Sequence, residues 1–261
     1  MTSSTLMAIV SMWILMTLWL VLVATAAVLA FKKWQKAHDF LKKQMFYIWL
    51  GGTFVFTGDL LHTIGYTISA YNGSPTGLLE LFGRPFESRT FSLFFDGLVF
   101  MVYYTLWAFF IVARYQQGQF NNRDKTTVGL AMGAIILMLP GAIPNAFGIY
   151  TLQYDIAIWA PHIILFLIFG LMTVGKLTRC STHALAQASD DLIKTQERAL
   201  RTIGISLLFS FLFFILTLAL LPYNDMFGLF MIPKTFAYMV AFIYLIKGVI
   251  LPIPTVQANV R

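Results

Sequence analysis

The sequence predicts an all-α integral membrane protein: a seven-transmembrane helix bundle, N-terminus outside and C-terminus cytoplasmic. Three observations predict it. The 261 residues are 59% hydrophobic and only 11% charged, with a mean hydropathy of +0.77, where a soluble domain carries about 25% charged residues. Seven apolar runs reach the ~20 residues needed to cross a bilayer. The Lys and Arg residues fall almost entirely on alternate connections.

The spans lie near 6–30, 46–68, 92–113, 127–149, 154–175, 202–221 and 228–250, in a single domain over 1–261. The first opens with MTSSTLM, which lacks a basic leader, and is followed by Lys32, Lys33 and Lys36. That pattern predicts an uncleaved first span with a translocated amino end. Lys42 and Lys43 complete the first loop; Arg114, Arg123 and Lys125 mark the third; Lys176, Arg179, Lys194, Arg198 and Arg201 mark the fifth. The opposite side holds Arg84 and Arg89. The positive-inside rule gives the orientation. It also turns the formal charge of +7 into a topology signal and a contact with anionic headgroups, with no call for nucleic acid. The expected location is the plasma or inner membrane.

Two connections are long. The outer one, 69–91, contains the turn NGSPTG and then LLELFGR, read as a short helix with Glu80 and Arg84 at i,i+4. The inner one, 176–201, includes ALAQASDDLIKTQERALR, rich in good helix formers. It reads as a helical extension of the sixth span, or as a docking surface for a cytoplasmic protein partner.

The second span carries FVFTGDLLHTIGY, with Asp59, His62 and Tyr66 on one helical face. A carboxylate and an imidazole at this depth must face the bundle, because lipid offers no hydrogen bonds. Counting ~1.5 Å per residue, Asp59 sits ~3 Å and His62 ~7 Å outward of the span's middle. On the same count Asp96 lies ~10 Å outward in the third span, His162 ~4 Å in the fifth and Lys234 ~7 Å in the seventh. Asn145 lies near the outer end of the fourth. Asn145, His162 and Lys234 each follow a proline, at 144, 161 and 233; a proline within a span frees a carbonyl one turn earlier and kinks the helix. The expectation is a polar pocket in the outer half, lined by spans two, three, four, five and seven, with LLELFGRPFESR as its lid. Asp59 and Asp96 would balance Lys234. A purely structural ion network is the bland alternative.

Such a pocket suits a small-molecule or lipid-like ligand, or a proton, in sensing, transduction or transport. Histidines titrate near neutral pH and buried carboxyls shift toward it. A second reading is an intramembrane zinc hydrolase acting on a lipid-like substrate, with His62, His162, Asp59 and Asp96 as candidate ligands. In idea it resembles the seven-helix hydrolase superfamily of alkaline ceramidases and adiponectin receptors. That family's three histidines, aspartate and serine are not matched: the seventh span has PKTFAYM without histidine, and position 58 is glycine. A third reading, a retinal protein, is similar in outline to a microbial rhodopsin through Lys234 and Asp96. In that comparison Lys234 lies about two turns too shallow, and the sixth span has no Trp or Tyr to clamp a polyene. Neither zinc nor retinal is favoured. The lone Cys180 excludes an internal disulfide. Nucleophile elbows and phosphate-binding glycine loops are absent from the sequence.

Overall fold

Apolar runs interrupted by so few charges satisfy their backbone groups internally, and the chain is accordingly helical. The computed structural model describes residues 3–71, 78–81, 84–87, 106–107, 111–112, 126, 129, 133, 153–220 and 231–252. Five helices lie among them: α1 (Ser3–Lys36), α2 (Asp39–Tyr71), α3 (Gln153–Gln187), α4 (Asp191–Leu220) and α5 (Met231–Tyr244). A π-helical turn, Leu245–Ile250, continues α5. Of the third and fourth predicted spans, Leu106, Trp107, Ile111, Val112, Gly129 and Gly133 are described; all are helical, and the first four are buried.

Three stretches among the described residues are long and apolar enough to cross a membrane: Val10–Lys36, Asp191–Thr217 and Ile232–Ile250. Their outward faces are apolar. On α1, Met7, Val10, Ile14, Leu18, Val21 and Val28 are exposed at spacings of three, four and seven, one stripe of a helix. Phe209 and Leu212 on α4, and Ile232, Phe236 and Val240 on α5, are exposed as well. An apolar exterior of this extent belongs against lipid.

The helices outrun the predicted spans. The 34 residues of α1 rise ~50 Å, against a hydrocarbon core of ~30 Å. The basic connection predicted over 176–201 is two helical arms: α3 runs on to Gln187 and α4 begins at Asp191. Both neighbouring spans are extended, where the sequence reading extended the sixth alone. Asp190 caps α4, its Oδ1 accepting from the Leu192 and Ile193 N–H groups at 2.7 and 3.1 Å, which satisfies two otherwise orphaned donors.

The described residues of LLELFGR are strand and not helix. Leu78–Leu81 (β1) pairs antiparallel with Arg84–Glu87 (β2), matching Leu78 with Glu87 and Leu81 with Arg84. Gly83 and Pro85 explain the difference: glycine is a poor helix former, and proline lacks the N–H a helix interior needs. Glu80 pairs in register with Pro85, so the expected i,i+4 relation with Arg84 does not arise. β1 lies against α2. Pro233 is the third residue of α5 (Met231–Tyr244), and the turn before it, on which the expected kink depends, lies outside the described residues.

Small residues set the helix packing. A Cβ on Gly52 of α2 would stand 3.1 Å from that of Ala27 on α1. Gly204 of α4 leaves room for Thr178 of α3, Gly170 of α3 for the Phe211 ring, and Gly248 of the π turn for Ala199 of α4. Without a hydrophobic drive between helices in lipid, such close approach supplies the packing energy. The core they frame includes Val23, Ala26, Ala30, Met45, Ile48, Leu177, Ile203 and Phe242.

Most of the described Lys and Arg residues lie at one end of the helices. Ala37 and His38 alone separate α1 from α2, and Asp39 opens α2 at φ 50°, a left-handed conformation that aspartate tolerates better than most residues. Lys33 Nζ donates to the Leu251 carbonyl at 3.1 Å, and Gly248 abuts Ala199. The carboxyl ends of α1 and the π turn therefore meet the amino ends of α2 and α4 here.

Candidate functional site

α1 and α2 run antiparallel, their contacts passing from Trp13 and Thr67 through Trp19 and Asp59 and Ala27 and Gly52 to the rings of Trp34 and Phe46. Two indole N–H groups act as rivets between them. Trp13 Nε1 donates to Thr67 Oγ1 at 2.8 Å, and Trp19 Nε1 donates to Asp59 Oδ2 at 2.5 Å. An indole N–H has no partner in hydrocarbon and seeks an acceptor within the bundle.

Asp59 is 7% exposed and Trp19 3%, so their bond forms in a low-dielectric interior where it is strong and costly to lose. One turn on, the Thr63 hydroxyl donates to the Asp59 backbone carbonyl at 2.7 Å, and Thr67 repeats this to Thr63 at 2.8 Å. Hydroxyls thus back-bond their own helix along this face. His62, half-buried, follows Asp59 by three residues on α2.

The other side of Trp19 faces α5. Its ring stacks with Tyr238 at a centroid distance of 5.9 Å and meets the edge of Phe242 at 5.0 Å. Tyr238 in turn lies under the Lys234 ammonium, whose Nζ is 5.5 Å from that ring and 4.8 Å from the Phe214 ring of α4. A cation over two ring faces is attracted by both quadrupoles. From Asp59 to Lys234 there runs a continuous line: carboxylate, indole, phenol, ammonium. Among the described residues no carboxylate stands within ion-pair distance of Lys234.

Of the residues singled out in the sequence, Asp59, His62 and Lys234 are described with their side chains. Tyr66 and His162 have helical backbones in α2 and α3, and their side chains lie outside the described residues. Asp96 and Asn145 lie outside them altogether, as do Pro144 and the pairing of Lys234 with Asp96. Among the described residues no group of three or more His, Cys, Asp or Glu side chains could hold a metal ion.

Sequence reasoning missed Trp19, Phe214 and Tyr238. It gave spans one and six no part in the lining, yet α1 supplies the donor to Asp59 and α4 supplies a ring to Lys234. The available signal was chemical. A tryptophan in mid-span needs an acceptor, and the neighbouring span offers a carboxylate at matching depth. Comparison with protein-family models, curated proteins and solved structures finds no match to this chain.

Proposed function

We propose that the chain is a multi-pass protein of the plasma or inner membrane, a seven-helix bundle whose ionisable site around Asp59 binds a small or amphipathic ligand, or a proton. Occupancy of that site shifts the helices around it, as sensing and transduction or transport require. The supporting observation is the bond from Trp19 to Asp59, continued through Tyr238 to Lys234. It joins α1, α2 and α5 at one point. A change in charge or hydrogen bonding at Asp59 is therefore felt on three helices.

The chemistry suits a switch. Trp19 and Asp59 are both buried, so the bond between them is strong. A ligand or proton that alters this bond alters how firmly α1 is held to α2. By chain length Asp59 lies ~30 Å along α2 from the basic end, which the positive-inside rule assigns to the cytoplasm. The site would then lie in the outer half, with β1 and β2 on the connection that follows α2. The basic arms of α3 and α4 are the surface through which a cytoplasmic partner would read the change.

The experiment is a pH titration of intrinsic fluorescence on the full chain in lipid nanodiscs. Trp19 is the reporter. A transition present in the native chain and absent from both Asp59→Asn and Trp19→Phe is the expected result. A native titration indistinguishable from that of Asp59→Asn would remove Asp59 from the switch. Metal analysis and an absorbance spectrum of the same sample test the other chemistries: stoichiometric zinc would favour the hydrolase, and a visible band a chromophore.

A further inference from the structure

The α1–α2 turn carries a feature unrelated to the Asp59 site. Four rings cluster: Trp34 and Trp49 stack at 5.2 Å with 20° between their planes, and Phe31 and Phe46 meet this pair tilted or edge-on at 5.0 to 6.1 Å. All four are half-buried. Lys42 Nζ stands 5.9 Å from the Trp34 ring centroid, and the same turn carries Lys32 and Lys36 on α1 and Lys43 on α2, all exposed. Asp39 is the only acidic residue between Phe31 and Trp49.

We infer that this turn is a binding site for the headgroup of an anionic phospholipid. Lysines supply the charge complement to a phosphodiester, and the flat indole pair offers a surface for the glycerol backbone and first methylenes. Trp and Lys together are the side chains that settle at the bilayer boundary. The turn is also built to hold them. Ala37 is buried, its N–H donates to the Trp34 carbonyl at 3.4 Å, and the Lys42 N–H donates to the His38 carbonyl at 3.3 Å. With two residues joining the helices, the backbone carrying the lysines of both arms is held at one turn before any lipid arrives, which lowers the ordering cost of binding. Exposed Val28, two turns before Lys36 on α1, continues the apolar lipid face up to this turn. A soluble polyanion would satisfy the lysines and leave the rings uncovered; a phospholipid satisfies both.

The test uses the full chain in nanodiscs of phosphatidylcholine alone, or with about 20 mol % phosphatidylglycerol, enough to supply the negative surface such lysines respond to. Phosphatidylglycerol should raise the melting temperature of the native chain. Lys36→Gln/Lys42→Gln/Lys43→Gln should lose that increment, and Arg179→Gln/Lys194→Gln, on the other basic connection, should keep it. A second measurement on native protein does not depend on the variants folding. Phosphatidylglycerol with brominated chains should quench tryptophan fluorescence more than brominated phosphatidylcholine at the same mole fraction. The inference is overturned if both pairs of lipids behave alike, or if the triple variant keeps the increment. It is also overturned if the control variant loses the increment equally, or if glycerol phosphate added to phosphatidylcholine discs reproduces it, which would mark a free-anion site. Each outcome can occur whether or not Asp59 proves to be a switch.

Discussion

Trp19 and Asp59, forty residues apart, share a buried hydrogen bond in which the indole N–H donates to the carboxylate at 2.5 Å. It ties the first helix to the second and leaves one face of the indole for Tyr238. Several outcomes depend on this geometry.

Trp19→Phe keeps most of the ring and removes the donor, leaving a buried carboxyl short of one partner. It is expected to cost about 1–3 kcal/mol of stability. Asp59→Leu alone leaves the indole N–H unsatisfied at a comparable cost, while the double change recovers part of the loss because neither polar group remains. A double-mutant cycle on detergent-solubilised protein, read as melting temperature, measures the coupling. Strict additivity would mean that the two groups are separately solvated.

Lys234 is expected to couple to Phe214 and Tyr238 more strongly than to Asp59, because two rings lie between the charges. Phe214→Leu should weaken the chain by about 0.5–2 kcal/mol when Lys234 is present, and by less in a Lys234→Met background. Lys234→Arg keeps the cation over the rings and should be mild. If Lys234→Met couples instead to Asp59→Asn, the ammonium and carboxylate interact directly, and the rings are bystanders.

Two glycines should respond oppositely to alanine. At Gly248 a methyl would run into Ala199 of α4, so Gly248→Ala should destabilise by about 1–3 kcal/mol through overpacking. Around Gly175 in α3 no neighbour among the described residues lies within 4 Å of the added Cβ, and Gly175→Ala should gain roughly 0.5–1 kcal/mol of helix stability. Thermal melts of the two variants settle the matter. A tolerated Gly248→Ala would show that the π turn and α4 can part freely.

Cys180 is half-buried near the basic end of α3. Burial pushes its thiol above the ordinary range, helped by Glu197, against the downward pull of Lys176 and Arg179. The thiolate is the reactive form, so alkylation of solubilised protein should be slow at neutral pH and accelerate only above the pH at which a free thiol ionises. Rapid labelling at neutral pH would show that the basic neighbours outweigh burial.

Orientation is open to the same chemistry once Cys180→Ser removes the native thiol. In intact cells an impermeant maleimide should label Ser74→Cys and Glu87→Cys and spare Gln187→Cys. Labelling of Gln187→Cys would invert the topology and move the Asp59 site to the cytoplasmic half.

What the sequence determined by itself was the solvent and the helical character of the apolar runs. Runs such as Val10–Lys36 are too apolar for water and long enough to cross lipid, and a backbone in lipid has helix as its local solution. It also singled out Asp59, His62 and Lys234, because an ionisable group amid apolar neighbours is visible from composition alone. Partners were a different matter. Trp19 reads as one more aromatic of a packed helix until the antiparallel register of α1 and α2, set by Gly52 against Ala27, brings its N–H to the carboxylate. The rings that Lys234 meets were equally invisible in the sequence: α4 and α5 bring it over Phe214 and Tyr238. Helix ends were equally a matter of context: the arms beyond 175 and before 202 are polar enough for a loop, and α3 and α4 continue through them to the Asp190 cap. Hydropathy is additive along the chain and can be read locally. Hydrogen bonds, ring contacts and caps join residues far apart in sequence, and only the packed arrangement of helices decides which of them meet.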